Sequence, residues 1–104
     1  QPHRYTRTRD LLETFPESFS AADQVIVTEV YSANEPKIQG VSGKLIVDKM
    51  KPERKNDVRF IEQKSNIANQ LMGELKKGDL VITMGAGDLH TVSKEIVSRL
   101  KSTE

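Results

Sequence analysis

Arg4 and Arg7 stand three residues apart in the opening stretch QPHRYTRTRD, with His3 beside them. Near a helix start such a pair projects from one side, and the free amides of the first turn point the same way. Two guanidiniums and free amides suit a carboxylate or a phosphate, and the planar fork of arginine orients a planar anion as the point charge of lysine does not. His3 could donate to that anion, carry a proton near neutral pH, or serve only as a structural donor. Pro2 fixes the backbone ahead of it. The spacing equally suits a plainer arrangement, with Arg4 or Arg7 paired to Asp10, Glu13 or Glu17 on a solvated helix face. Arg9 belongs with that arrangement.

A second candidate is Gly85-Ala86-Gly87, which follows the apolar run DLVITM and precedes a helical pattern, the setting of a dinucleotide-binding turn. His90 stands where a third glycine would be needed, and Asp88 would set a negative charge beside any phosphate there. Glycines that permit a tight turn and a close helix approach account for the motif equally well. No G-x-x-x-x-G-K-S/T loop occurs, so the chain carries no triphosphate cradle of its own. Lys51, Arg54, Lys55 and Arg59 form a second basic group, interrupted by Glu53 and Asp57 and with Phe60 as its sole aromatic; a solvated loop is expected. The absence of cysteine excludes disulfides and a thiol nucleophile, and two histidines alone argue against a zinc site. Sixteen basic against fifteen acidic side chains do not make a nucleic-acid surface, and the apolar runs are too short to cross a membrane. Neither nucleic acid nor a membrane is an expected partner.

These residues must be positioned by a single hydrophobic core, the most that 104 residues allow. Between Arg7 and Ala22, Leu11, Leu12, Phe15 and Phe19 fall at helical spacing, with Thr6 or Thr8 as N-cap and a kink or a short helix at Pro16. QVIVTEV, residues 24–30, is β-branched and short, as a strand buried on both faces would be. After the loop YSANEPKIQG, Ser42 can cap a short helix with Leu45, Ile46 and Met50 on one face, ending before Pro52. DVRFI, residues 57–61, reads as the second strand. Ser65 can cap a helix through Lys77, stopped by Gly78, with Ile67, Ala68, Leu71, Met72 and Leu75 on its apolar face. DLVITM, residues 79–84, reads as a third strand, and Asp88 to about Lys101 as a helix turning Leu89, Val92, Ile96, Val97 and Leu100 inward.

Regular alternation of this kind predicts an α/β fold, a Rossmann-like, mostly parallel sheet flanked by helices with right-handed crossovers. Such a layer begins with a strand, and the opening segment behaves like the loop between a strand and its helix. The reading therefore expects a strand ahead of Gln1, missing from this chain. In open parallel sheets ligands bind beyond the carboxyl ends of the strands. That rule selects the segments QPHRYTR, YSANEP, EQKSN and MGAGDLH, and makes His3, Arg4, Arg7, Tyr31, Asn34, Gly85, Gly87 and His90 candidate neighbours on one rim.

QPHRYTRTRD, the strand ending EVYSANEPKIQGVSG, and GDLVITMGAGDLH near the end together resemble the C-terminal domain of the Mur ligases that join L-alanine to UDP-N-acetylmuramate. The resemblance covers essentially the whole chain in order and spacing. It implies that residues 1–104 are that amino-acid-delivering domain, truncated at its N-terminal edge, from a cytoplasmic bacterial enzyme of peptidoglycan synthesis and hence of cell shape and division. It further implies an ATP- and Mg-dependent amide ligation, in which the muramyl carboxylate is phosphorylated and the amino group of L-alanine attacks the acyl phosphate. The UDP sugar, ATP and the metal would be held mainly by the N-terminal and central domains. Carried over to this sequence, Arg4 and Arg7 would grip the carboxylate of L-alanine with His3 beside them, and Tyr31, Gly85, Ala86 and Gly87 would be rim contacts. No catalytic residue or metal ligand would fall on this chain, which alone is expected to be inactive. A different class stays open, a non-catalytic Rossmann-like module that uses the same rim for a nucleotide or another anion.

Overall fold

The computed structural model of the chain describes residues 1–54 and 56–102; Lys55 of the second basic group lies outside them. Alternation within QVIV explains the centre of the fold, because successive side chains of a strand face opposite sides. In β1 (Gln24–Val27), Val25 and Val27 join one apolar cluster while Ile26 packs against another. β1 pairs in parallel with β2 (Asp57–Phe60), Val25 opposite Val58 and Val27 opposite Phe60. The first cluster draws Phe15 from α2 (Phe15–Ser18) and Ile46, Val47 and Met50 from α3 (Gly43–Met50). The second draws Ile67, Ala68 and Leu71 from α4 (Ile67–Met72) and Val92 and Ile96 from α5 (His90–Ser102). The result is the expected α/β arrangement, a small parallel sheet covered by helices. No helix among the described residues is long and apolar enough to cross a membrane.

The first helical stretch is broken where proline requires it. A six-residue helix, α1 (Tyr5–Asp10), passes into a 3-10 turn, Leu12–Thr14, and then into α2, where Pro16 is buried in the first turn. There its missing N–H forfeits no helical bond. Neither threonine is the N-cap of α1. Arg4 holds that place without a side-chain bond, and the buried Thr8 turns its hydroxyl back to the Arg4 carbonyl at 2.7 Å.

Other departures have equally local causes. Residues 79–84 form no strand, since a strand needs a neighbouring backbone and, among the described residues, this segment has only a local turn with Lys76 at Asp79 and the Gln1 amine on the Met84 carbonyl. Leu80, Ile82 and Met84 are consequently 83, 71 and 63% exposed. α4 is shorter than expected: a 3-10 turn, Lys64–Asn66, precedes it and Gly73 caps it, while Gly78, at φ 95°, belongs to a separate turn in which the Asp79 amide bonds the Lys76 carbonyl. α5 buries Val92 and Ile96 but leaves Val97 and Leu100 half-exposed, so its apolar stripe is narrower than the sequence pattern.

The exit from β1 sets where the loops emerge. The Gly43 backbone comes so close that a Cβ there would lie 2.1 Å from the Thr28 carbonyl oxygen and 2.9 Å from the Phe60 ring. Ser42 is the N-cap of α3, as expected, but makes no side-chain bond; the Glu29 carboxylate instead accepts from the amides of Gly43, at 2.9 Å, and Val30, at 2.8 Å. The Thr28 hydroxyl donates to the Glu62 carbonyl at 3.0 Å, tying the exits of both strands together. Gly43→Ala should therefore cost at least about 2 kcal/mol in urea unfolding, because backbone must move to admit the methyl. Gly73→Ala, whose added Cβ would meet only the Gln70 carbonyl at 3.8 Å, should fall within about 1 kcal/mol of wild type and serves as the control.

Candidate functional site

The opening segment reaches the sheet through its backbone. The Tyr31 amide donates to the Pro2 carbonyl and the Arg4 amide to the Tyr31 carbonyl, both at 2.8 Å, forming a parallel bridge between His3 and Tyr31. The His3 and Tyr31 rings stack with centroids 5.9 Å apart and planes inclined by 15°. Behind Tyr31 lies Gly87, where a Cβ would stand 3.0 Å from the ring. The glycine is needed there for close approach of an aromatic ring, and its φ is not left-handed. On the other flank, Gln1 donates to Met84 and its Cβ lies near Gly85. His3, Tyr31, Gly85 and Gly87 are thus brought together as expected.

The remaining segment joins through charge. Lys64, in the loop after β2, forms an ion pair with Asp88, the residue after Gly87. This neutralises the carboxylate at that loop and holds its pKa below the ordinary range. Asn34, Ala86 and His90 are exposed, and no hydrogen bond joins their side chains to this cluster among the described residues.

Arg4 and Arg7 are exposed, Arg4 next to His3 with its amide on Tyr31 and Arg7 three residues further along α1. Arg4 has φ 66° and ψ 147°, a region populated almost only by glycine, which costs an arginine about 1–3 kcal/mol. Its backbone is held from both sides, by the bond to Tyr31 and by the Thr8 amide on its carbonyl at 3.1 Å. Among the described residues, neither guanidinium makes a hydrogen bond or an ion pair. Two of the three carboxylates that the sequence offers as their partners are engaged elsewhere, Asp10 by Arg9 at 2.9 Å and Glu13 by Lys49 at 2.8 Å. The second basic group differs. Arg54 donates to the carbonyls of Phe19, at 2.8 Å, and Ala22, at 2.7 Å, where the chain enters β1, and Arg59 binds Glu74. These two arginines are structural, and among the described residues of the group Lys51 alone is left as an exposed charge of the expected kind.

One contact to the opening helix escaped the sequence reading. Glu35 accepts from the Thr6 amide at 2.8 Å through Oε1 and from the Thr6 hydroxyl at 2.7 Å through Oε2. Thr6 carried a cap signal, but its partner lies 29 residues away in a loop, where an acidic residue looks like any solvated turn residue.

Residues 2–87 match the family described as Mur ligase, glutamate ligase domain. The chain is 42% identical over 103 residues to a UDP-N-acetylmuramate–L-alanine ligase of Myxococcus xanthus, covering 99% of the chain and 22% of that protein. It is 42% identical over 104 residues to the ligase of the same name from Syntrophus aciditrophicus, covering 100% of the chain and 22% of the relative. The ligase of that name from Pelotomaculum thermopropionicum is also 42% identical over 104 residues, with 100% and 23% covered. The chain spans about a fifth of the length of these relatives.

The Thr6 hydroxyl and amide, with a smaller contribution from the Arg4 charge, hold the Glu35 carboxyl below its ordinary value of 4.5. A lowered folded-state pKa means that this contact stabilises the fold fully above the unfolded value and is lost as pH falls through the folded one. The Thr6 amide resonance should therefore titrate with a midpoint below 4.5, and Glu35→Gln should abolish the transition. A midpoint at or above the ordinary value would contradict the contact.

Proposed function

The chain belongs to the Mur ligase family, as a C-terminal domain, and from that premise we propose that it delivers L-alanine in a cytoplasmic UDP-N-acetylmuramate:L-alanine ligase of peptidoglycan synthesis. The observation that carries this reading is the state of Arg4 and Arg7, two exposed arginines three residues apart whose guanidiniums make no ion pair among the described residues, one of them on a strained backbone. Strain of that kind persists where surrounding contacts over-determine it, and it clusters at ligand clamps. Forked donors grip a carboxylate in two bonds and fix its plane. In a small amino acid the amine sits on the carbon next to the carboxylate, so holding one end aims the other. Positioning the amine is the contribution expected of a domain that closes over an activated carboxyl group held by its partners. His3, stacked on Tyr31, borders the same seat and can donate to the bound anion.

In this reading ATP activates the sugar's carboxylate as an acyl phosphate, with Mg, on the central and N-terminal domains. The residues of this chain do not fit a metal: among the described residues no group of three or more His, Cys, Asp or Glu side chains could hold one, and Asp88 is taken by Lys64. This chain therefore supplies the amino-acid grip and no step through the metal.

The same reading completes the sheet. Gln1 to Arg4 already run between Tyr31 on one side and Met84 on the other, bonded to both. An extended segment leading into Gln1 would continue between β1 and residues 79–84, giving each an edge partner and covering Leu80 and Ile82. In the intact ligase the amides of Ile82 and Met84, on the edge where the Met84 carbonyl already meets Gln1, should resist hydrogen exchange far more than in the 104-residue chain; equal exchange in both would refute the added strand.

For the grip, Arg4→Ala and Arg7→Ala in the intact ligase should each raise the KM for L-alanine about 10- to 100-fold, the weight of a charge-assisted bond, with the KM for ATP nearly unchanged. Arg4→Gly, which relaxes the backbone, should lose alanine affinity as fully as Arg4→Ala. Unchanged alanine KM in both positions would sink the assignment.

A further inference from the structure

The grip has a support that neither its arginines nor its helix provides. α1 is six residues long, and its N-cap Arg4 makes no side-chain bond; Thr8 ties down the Arg4 carbonyl from within the helix, but no side chain of the helix caps the first-turn amides. The fixing group arrives from the loop after β1. There Ala33 and Asn34 are both left-handed, at φ 50° and 68°, and the Glu35 amide closes a turn on the Ser32 carbonyl at 2.9 Å. Two consecutive left-handed residues without glycine are unfavourable, and their effect is to fold the loop back on the opening segment. Glu35 then takes both polar hydrogens of Thr6, the amide and the hydroxyl, with its two oxygens. Two bonds from one carboxylate fix both the height and the rotation of the turn they hold. Thr6 lies between Arg4 and Arg7, so the stems of both guanidiniums are set by this clamp.

The clamp does not consume what it positions. Glu35 lowers the energy of a nearby Arg4 cation through space, but the two form no ion pair within salt-bridge distance, and the Arg4 fork stays available. We propose that Glu35 is a positioning residue for the amino-acid carboxylate, acting through Thr6 on Arg4 and Arg7; the inference rests on the assignment of those arginines to the substrate. Its role is the hydrogen-bonded geometry and not the negative charge.

Steady-state kinetics of the intact ligase separate these possibilities. Glu35→Ala should raise the KM for L-alanine about tenfold, leaving kcat within about twofold and the KM for ATP unchanged. Glu35→Gln should restore alanine KM to within about threefold of wild type, because its amide oxygen still accepts from the Thr6 amide and its NH2 can donate to the hydroxyl. If Glu35→Ala does not fold, Thr6→Val, which keeps the amide and loses the hydroxyl, should still raise alanine KM by about threefold, and Thr6→Ser should not. An unchanged alanine KM in Glu35→Ala, equal losses in the Ala and Gln variants, or a parallel rise in the KM for ATP would each overturn the proposal. Arg4→Ala and Arg7→Ala run alongside: if they leave alanine KM unaltered the parent assignment fails, whereas a rise there with none in Glu35→Ala removes the clamp alone.

Discussion

The arrangement of the rim depends on one stretch of parallel pairing, the two main-chain bonds that Tyr31 exchanges with Pro2 and Arg4. Backbone bonds fix position in a way that side-chain contacts on a loop do not, because they set the register as well as the distance. Once Tyr31 is in register with His3, the two rings must stack, Gly87 must be bare to admit the tyrosine ring, and Arg4 must take the backbone conformation that lets α1 begin at once. Each of these is unfavourable or restrictive alone. Together they follow from the single pairing.

That pairing is supported from below by the exit of β1. The carbonyl of Thr28 lies against Gly43, the hydroxyl of Thr28 reaches Glu62, and the carboxylate of Glu29 holds the first turn of α3. The rigid end of the sheet is thus locked to a helix before the chain enters the loop carrying Tyr31 and Glu35. A binding surface made of loops acquires precision in this way, from the framework on which the loops are mounted. Carboxylates recur in that work: Glu29 on α3 and Glu35 on α1 each supply acceptors that the sequence-local caps do not.

What the sequence disclosed followed physical range. Alternation of β-branched and helical patterns was enough for the two faces of the sheet, because Val25, Ile26 and Val27 respond to the pleat alone. The rule that ligands gather at strand ends brought His3, Tyr31, Gly85 and Gly87 into one neighbourhood without any contact information. Residues 79–84 show the limit of that approach, since β propensity describes the side chains and a strand also requires a partner backbone. Glu35 and Arg54 show another limit. Arg54 read as a solvated loop charge and Glu35 carried no signal of its own, yet both bond groups about thirty residues away, the carbonyls of Phe19 and Ala22 in one case and Thr6 in the other.

The exposed run from Leu80 to Met84 bears on how the protein behaves outside its full setting. It combines β-forming side chains, no proline and no charge, with main-chain groups open up to the Met84 carbonyl that Gln1 takes, the features of a template for self-association. Asp79 at one end is a nearby negative charge that opposes stacking of one copy on another, whereas Asp88, beyond the glycines at the other end, is already paired with Lys64. Any form of the protein in which this face is uncovered, a nascent chain or a proteolytic fragment included, would present a sticky edge whose tendency to aggregate rises with concentration and with screening of Asp79 by salt.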